Sequence, residues 1–234
     1  MKVLAVDTSG PVCGVAVLAD GSIRSEQMAL NRKTHSVNLM PMVDRALGMA
    51  GFTLEDMDRI AVVTGPGSFT GVRLGVSAVK GMAHGAGKPC VAVDALEAMA
   101  AGAGFFPGVI CPIQDARAGQ VYGAAFMTGG ERPERLMEDI PLKLEDYLEA
   151  VTQLGVCFLF LGDGMPVHRG KIDGLLGRKA VMAPPHMAFL RPAAAAWLGA
   201  LETRELDYLA LSPEYLRAPS AERNRKLMEA AHAE

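Results

Sequence analysis

Two aspartates occupy corresponding places in the two halves of this 234-residue chain. Asp7 ends an apolar run and begins the sequence Asp7-Thr8-Ser9-Gly10, and Asp115 ends a similar run before the turn into the next strand. Because ligands of open α/β sheets gather at the carboxyl ends of the strands, this pair predicts a binding cleft lined by both segments. The alternative is that each aspartate only accepts backbone N–H bonds within an Asx turn.

A short loop in the second half is a further candidate for the same cleft. Gly162, Asp163 and Gly164 follow the apolar stretch 156–161. We interpret them as a loop on the phosphate or ribose side of a bound ligand. The alternative is an ordinary turn, which this composition also favours.

The most distinctive motif is the glycine-rich sequence GPGSFTGVRLG at 65–75, between an apolar strand and a helix. Such a turn presents free N–H groups and the positive end of the helix dipole, which suits an anion. The motif has neither the P-loop sequence nor the dinucleotide-binding spacing. The alternative is a tight helix-entry turn without a ligand.

Other chemistries have little support in the sequence. The five histidines are scattered, with no HExxH motif and no i, i+4 pair, which argues against a metallohydrolase. There is no GxSxG motif for a nucleophilic serine. The four cysteines form no CxxC pair and lie in apolar segments, as reduced, buried thiols do. We therefore assign no metal ligand and no catalytic residue.

The composition describes a globular chain and limits its partners. Half of the residues are hydrophobic and 21% are charged, which excludes disorder as the default state. The net charge is −3, the wrong sign for a protein that holds a nucleic-acid backbone by itself. No apolar run is long enough to span a bilayer, and we expect a cytoplasmic protein.

The hydrophobic periodicity predicts the same order of elements twice. In the first half we expect strands at 3–6, 12–18, 23–28, 60–63 and 90–93, and helices at 34–50, capped by Thr34 and kinked at Pro41, at 72–85 and from Ala95 onward. In the second half we expect strands at 109–113, 121–126, 136–138, 156–161 and 179–183, and helices at 144–154 and 188–201.

Two such βββαβαβ units, each with an acid at the end of its first strand, resemble the α/β architecture of actin, sugar kinases and Hsp70, which is built from two ribonuclease H-like lobes. We predict an N-terminal lobe at 1–106, a C-terminal lobe at 107–212, and a tail at 213–234 that packs back on the N-terminal lobe. In that architecture the cleft between the lobes holds a nucleotide. The predicted cleft residues are Asp7, Thr8, Ser9, Gly10, Asp115, Gly162, Asp163 and Gly164.

Two predicted helices of the first lobe carry a candidate interface with another protein. Small residues at spacings of three and four in the helix 72–85 let another helix approach closely. The helix 34–50 has more apolar side chains than one buried face needs. The predicted interface residues are Leu39, Met42, Val43, Gly71, Gly75, Ala78 and Met82, and Gly85 continues the spacing. The alternative is that this face packs within the lobe.

Several motifs together resemble one family from the first strand to the tail. They are LAVDTS at 4–9, GPGSFTGVRLG at 65–75, GKP at 87–89, DAR at 115–117 with VY at 121–122, and PEYLR at 213–217. The chain is similar to the TsaB family, also called YeaZ. The resemblance implies a bacterial protein needed for threonylcarbamoyladenosine, the modified adenosine beside the anticodon of tRNAs that read codons beginning with A.

In that family the protein is a non-catalytic partner of its paralogue, the transferase TsaD. The metal-binding HxxxH segment of TsaD corresponds in order to a stretch in which the histidine positions fall on Ala95 and Met99, and neither side chain ligates a metal as histidine does. The resemblance implies a heterodimer with TsaD, a TsaE-type ATPase in a larger complex, a homodimer when the protein is alone, and tRNA contact only through the complex.

We expect no tightly bound cofactor. Arg117 and Gln120 stand where small residues would let a phosphate approach, so only weak ADP or ATP binding is considered, at the cleft or in a site shared with the partner. The alternatives from other classes are an ATPase or small-molecule kinase that uses the cleft, and a glycoprotease-like peptidase. The poor match to phosphate-binding loops disfavours the ATPase or kinase, and the missing metal ligands disfavour the peptidase.

Overall fold

The computed structural model describes residues 1–30 and 35–216. The described residues form two five-stranded mixed sheets with helices on both faces. Each sheet starts with an antiparallel three-stranded meander and continues with parallel strands joined through helices. The order βββαβαβ therefore occurs twice, which confirms the predicted two-lobed fold class.

The first sheet has the strand order β3-β2-β1-β4-β5. Its strands are β1 (Lys2–Asp7), β2 (Cys13–Ala19), β3 (Ser22–Ala29), β4 (Arg59–Gly65) and β5 (Cys90–Asp94). Its helices are α1 (His35–Ala50), α2 (Phe69–Ala86) and α3 (Ala95–Gly102). The predicted Thr34 cap of α1 lies outside the described residues, and α1 continues through Pro41.

The second sheet has the strand order β10-β9-β6-β7-β8. Its strands are β6 (Val109–Arg117), β7 (Gln120–Met127), β8 (Glu134–Lys143), β9 (Phe158–Leu161) and β10 (Ala180–Met182). The helices that follow are α4 (Leu144–Thr152), α5 (Gly164–Leu176) and α6 (Pro192–Leu201). Helix α5 was not predicted, because its four buried positions are too few and too polar to give a clear helical period.

Strand β1 shows how the alternation of side chains divides the core into layers. Leu4 and Val6 face the layer formed by α1 and α2. Val3 and Ala5 face the opposite layer, in which α3 and α6 lie between the two sheets and also contact Ile110 of the second sheet. This shared central layer joins the two lobes. A third apolar layer lies between the second sheet and helices α4 and α5.

Helix α6 falls within the predicted C-terminal lobe but packs on the first sheet. Gly14 of β2 faces the ring of Pro192, and Gly199 faces Ala61 of β4. After α6, Leu206 pairs with Cys90 of β5 through two backbone hydrogen bonds. The chain thus returns to the first sheet before residue 212, and the boundaries at 106 and 212 stay predictions.

The close contact of α6 with β4 gives a test of this central layer. A Cβ on Gly199 would lie 2.6 Å from the Cβ of Ala61, so Gly199→Ala should lower the free energy of unfolding by about 1–3 kcal/mol, as overpacking does. Gly174→Ala in α5 is the matched control, because nothing lies within 4 Å of its Cβ position. That control should gain up to about 1 kcal/mol from helix propensity. Urea unfolding measures both, and equal stability of the two variants would contradict the packing described.

Candidate functional site

Asp7 ends β1 in a buried turn. One of its carboxylate oxygens, Oδ1, accepts hydrogen bonds from the backbone N–H of Ser9 at 2.8 Å and from the Ser9 hydroxyl at 2.7 Å. The side chain is 1% exposed. Burial raises the pKa of Asp7 from 3.8 to about 6, although the Ser9 hydrogen bonds and the charge of His35 oppose this shift.

Asp115 makes the corresponding turn near the end of β6. Its Oδ1 accepts a hydrogen bond from the backbone N–H of Arg117 at 3.0 Å. The backbone N–H of Asp115 lies 3.3 Å from Oδ1 of Asp163, and burial raises the pKa of Asp163. Both strand-end aspartates therefore form the Asx turn that was the alternative interpretation. Asp163, which contacts Asp115, also lines a cavity together with Asp7.

A small cavity brings residues of the two lobes together. Asp7, Ser9 and Gly10 line it from the first lobe, and Gly162 and Asp163 line it from the second. Its volume is only about 10 Å³, close to the space for one water molecule. Ligand pockets usually measure about 300–1,000 Å³. In this structure the cavity, which we call the closed cleft, is by itself too small for a nucleotide.

The other predicted cleft residues lie beside this cavity. The Thr8 hydroxyl donates a hydrogen bond to the carbonyl oxygen of Gly71 at 2.7 Å. Gly164 was predicted to lie in a loop, but it is the first residue of α5. Its Cβ position lies 3.1 to 3.2 Å from backbone atoms of 113–115, so this glycine allows α5 to start against β6.

Two buried polar side chains near the cavity were missed by the sequence analysis. Oε1 of Gln114 and Nε2 of His168 have no hydrogen-bond partner among the described residues. Nε2 of His168 lies 3.7 Å from Oδ1 of Asp115. Gln114 precedes a residue that had been singled out, but His168 lies on the helix that was not predicted. Its position could not be inferred without that helix.

The glycine-rich sequence 65–75 packs against the loop that follows β1. A Cβ on Gly67 would collide with the carbonyl oxygen of Ser9, and one on Gly71 with that of Thr8. Ser68 caps α2 by accepting a hydrogen bond from the N–H of Gly71 at 3.3 Å, and its own N–H donates to Ser9 at 2.7 Å. These contacts explain the glycines, because only glycine allows so tight a turn into α2. An anion is not needed to explain them.

The residues do not suit a metal ion of the kind that the family resemblance implies for TsaD. Ala95 and Met99 are 0% and 3% exposed on α3, and Met99 lines the closed cleft. Neither side chain supplies the nitrogen or carboxylate donors of such sites. No group of three or more histidine, cysteine, aspartate or glutamate side chains within 1–30 and 35–216 is placed to hold a metal.

Most of the predicted interface residues face inward. Leu39 and Val43 lie in the core beneath α1, and Met82 lies beneath α2. The Cβ position of Gly75 is 2.5 Å from the Thr8 hydroxyl, and Gly71 packs on the same residue. This placement is the one expected if the face packs within the lobe. The two remaining predicted residues, Met42 and Ala78, are half-buried at the edge of the core.

The outward surface of α1 and α2 has a different set of residues. On α2, the exposed Ser77, Gly81 and Gly85 recur every four residues, and nothing lies within 4 Å of the Cβ positions of the two glycines. On the adjacent α1, Val37 is 64% and Met40 48% exposed. We call these five residues the outer helix face. It combines the small residues and the apolar side chains that close helix packing requires.

The described part of the tail contacts the start of α2. The N–H of Glu214 donates to the carbonyl oxygen of Thr64 at 2.8 Å. The Tyr215 ring stacks on Phe69 with centroids 4.8 Å apart, and Nε of Arg73 donates to the Tyr215 hydroxyl at 2.6 Å. We call residues 213–216 the strap. The rest of the predicted tail lies outside the described residues.

The comparisons with known proteins point to proteins of threonylcarbamoyladenosine biosynthesis. The family model described as "TsaD: tRNA N6-adenosine threonylcarbamoyltransferase" matches residues 27–222. The chain is 36% identical to the Bacillus subtilis tRNA threonylcarbamoyladenosine biosynthesis protein TsaB, over 95% of this chain and 96% of that protein. It is 32% identical to the Escherichia coli protein of the same name, over 93% and 95% of the two chains.

A solved structure supports the fold. The crystal structure of an uncharacterized Pseudomonas aeruginosa protein with similarity to the peptidase YeaZ superposes with a TM-score of 0.75 at 25% identity, covering 92% of this chain and 99% of that one. Within the part of the chain that the structure describes, no helix has the length and apolar character needed to cross a membrane.

The buried Asp7 predicts an unusual dependence of stability on pH. A folded-state pKa raised to about 6 means that Asp7 favours folding at low pH, and that this contribution is lost as the pH rises from about 4 to about 6. Asp7→Asn removes the ionisation and should raise the free energy of unfolding at pH 7.5 by up to about 3 kcal/mol. Below pH 4 the gain should disappear.

Denaturant unfolding at several pH values measures this difference. The control is Asp44→Asn on α1, where the carboxylate is exposed and the change should stay within about 0.5 kcal/mol at every pH. An Asp7→Asn variant that is less stable than the wild type at pH 7.5 would contradict the argument.

Proposed function

Because the chain belongs to the TsaB family, we propose that it acts as a non-catalytic partner of a TsaD-type transferase in the biosynthesis of threonylcarbamoyladenosine in tRNA. The modified adenosine is the one next to the anticodon of tRNAs that read codons beginning with A. The observation that carries this proposal is the match to the TsaB protein of Bacillus subtilis over nearly the full length of both chains. The family model, which is described by the transferase itself, supports a shared ancestry with that enzyme.

The site geometry supports a non-catalytic role within that pathway. Ala95 and Met99 occupy the positions equated with the metal-binding histidines, and the cavity lined by Asp7 and Asp163 has a volume of about 10 Å³. This chain therefore contributes binding and positioning, and the chemistry belongs to its partner. Any ADP or ATP is held weakly, after the cleft opens, or in a site completed by the partner.

The outer helix face is the surface that we propose for the partner. It consists of exposed residues of the neighbouring helices α1 and α2, and a stripe of serine and glycine lets a second helix come close to the backbone of α2. A TsaD-type paralogue of similar architecture would present its equivalent helices. A second copy of this chain would use the same face, so the homodimer and the heterodimer compete for it.

The proposed assembly has two further members. The charge of the chain bears on how tRNA binds, and the family implies an ATPase. With a net charge of −3, the chain lacks the excess of positive charge that holds a tRNA backbone, so tRNA binds through the complex. A TsaE-type ATPase joins the larger complex in the same proposal.

Depletion of this protein in its own host tests the proposed function. The expected result is a loss of threonylcarbamoyladenosine, measured by mass spectrometry of nucleosides from total tRNA, and its restoration by the wild-type gene. Purified protein alone should show no transferase, peptidase or significant ATPase activity. An unchanged nucleoside content after depletion would overturn the proposal.

Substitution of Gly81 tests the outer helix face. Gly81→Gln places a long side chain where a partner helix would approach, and should weaken binding to the host's TsaD-type protein by at least about tenfold, as overpacking does. Gly81→Ala is the control, since a methyl group meets nothing within 4 Å, adds helix propensity, and should change affinity by less than about threefold. Surface plasmon resonance gives the affinities, and light scattering reports self-association. A folded Gly81→Gln variant that binds and dimerises as the wild type does would place the interface elsewhere.

A further inference from the structure

A second cavity lies at the carboxyl ends of β4 and β5 and shares no residue with the closed cleft. Its volume is about 170 Å³. The polar residues that line it are Thr64, Asp94, Glu97, Arg132, Glu202 and Glu214. We call it the acidic cavity. Nothing in the proposed function uses it.

The charges around the acidic cavity do not balance. Arg132 donates to both carboxylate oxygens of Glu97, at 2.9 and 3.1 Å, and lies 3.5 Å from an oxygen of Glu202. Arg135 pairs with Asp94 at 3.2 Å and also with Asp139. Glu214 has no ion pair within the described residues. The guanidinium groups of Arg132 and Arg135 are therefore outnumbered by five carboxylates, those of Asp94, Glu97, Asp139, Glu202 and Glu214.

Asp94, which lines the cavity, is itself an unfavourable place for a negative charge. Its pKa is raised well above the ordinary value, first by burial and then by the neighbouring Asp139. Among the carboxylates that line the cavity, Glu97 and Glu202 share Arg132, and Glu214 has no ion pair within the described residues. The cavity is a place where an added cation is favoured.

The second observation is a buried hydroxyl without a partner. Thr64 is 1% exposed, and its Oγ1 has no hydrogen-bond partner among the described residues. Most buried polar atoms in proteins are hydrogen-bonded, and leaving one unsatisfied destabilises the fold. A hydroxyl has two lone pairs that accept hydrogen bonds, so Thr64 can receive an N–H group from a ligand in the cavity.

We propose that the acidic cavity binds an organic cation through an ammonium or guanidinium group that donates to the Thr64 hydroxyl and to the carboxylates of Glu202 and Glu214. The volume is below the range of about 300–1,000 Å³ for whole drug-sized ligands, and it suits one such head group. A metal ion is a poorer match, because the described residues hold no cluster of three metal-binding side chains. The proposal does not depend on the proposed function.

Two sources can supply the ammonium or guanidinium group. One is a free polyamine-like molecule. The other is this chain itself, because Arg217, Arg223, Arg225 and Lys226 follow Glu214 within twelve residues.

Calorimetric titration of the full chain with agmatine, which has both an ammonium and a guanidinium group, tests the proposal. Thr64→Val removes the hydroxyl at nearly constant shape and should weaken binding by about fivefold or more, as the loss of a hydrogen bond to a charged group does. Glu202→Gln combined with Glu214→Gln should weaken binding by about tenfold at low salt, with a smaller effect at high salt. Glu149→Gln, which removes an exposed carboxylate on α4, is the control and should bind as the wild type does. Because the Glu214 side chain is exposed, its single substitution keeps the test valid even if Thr64→Val fails to fold.

A full-length variant in which Arg217, Arg223, Arg225 and Lys226 are all glutamine separates the two sources. If a free molecule is the ligand, this variant and the wild type bind agmatine equally. If the chain supplies the cation, only the variant binds agmatine, and the Thr64 and glutamate substitutions abolish that binding. The absence of binding by both proteins, or binding that the cavity substitutions leave unchanged, would overturn the proposal.

Discussion

The packing of the glycine-rich sequence 65–75 onto the loop after β1 is the contact on which the rest of the structure depends. Thr8 is enclosed by α2, because its hydroxyl bonds to the carbonyl oxygen of Gly71 and a Cβ on either Gly71 or Gly75 would collide with it. No side chain other than hydrogen fits at this approach. The contact fixes where α2 begins, and with it the direction of the outer helix face.

The cleft and the strap both depend on this contact. The loop after β1 lines the closed cavity between the lobes, and the Glu214 carbonyl fills the place where a side chain on Gly65 would lie. The cleft buries Asp7 beyond the reach of solvent, which raises the pKa of Asp7.

The sequence predicted strands and helices correctly where a residue pattern is compatible with only one local structure. The alternation of apolar residues and the positions of most helices were sufficient to predict two units of the same architecture. The predicted cleft residues Asp7 and Asp163 line one cavity, but Phe189 and Leu190, from a distant part of the chain, line it as well. Contacts of this kind have no local signal in the sequence. Helix α5 was missed for a related reason, because its few buried positions include the polar His168.

The small residues of α2 show why their spacing alone does not say which side of a helix faces the core. Gly71 and Gly75 on one side, and Ser77, Gly81 and Gly85 on the other, repeat at the same spacing of four, so the spacing alone does not say which stripe faces the core. The valines decide the question, since Val72, Val76 and Val79 are buried and turn the first stripe toward β1. The second stripe then points to solvent on the opposite side. On its inner side α2 lacks side chains where it approaches its own sheet, and on its outer side Gly81 and Gly85 leave the backbone uncovered.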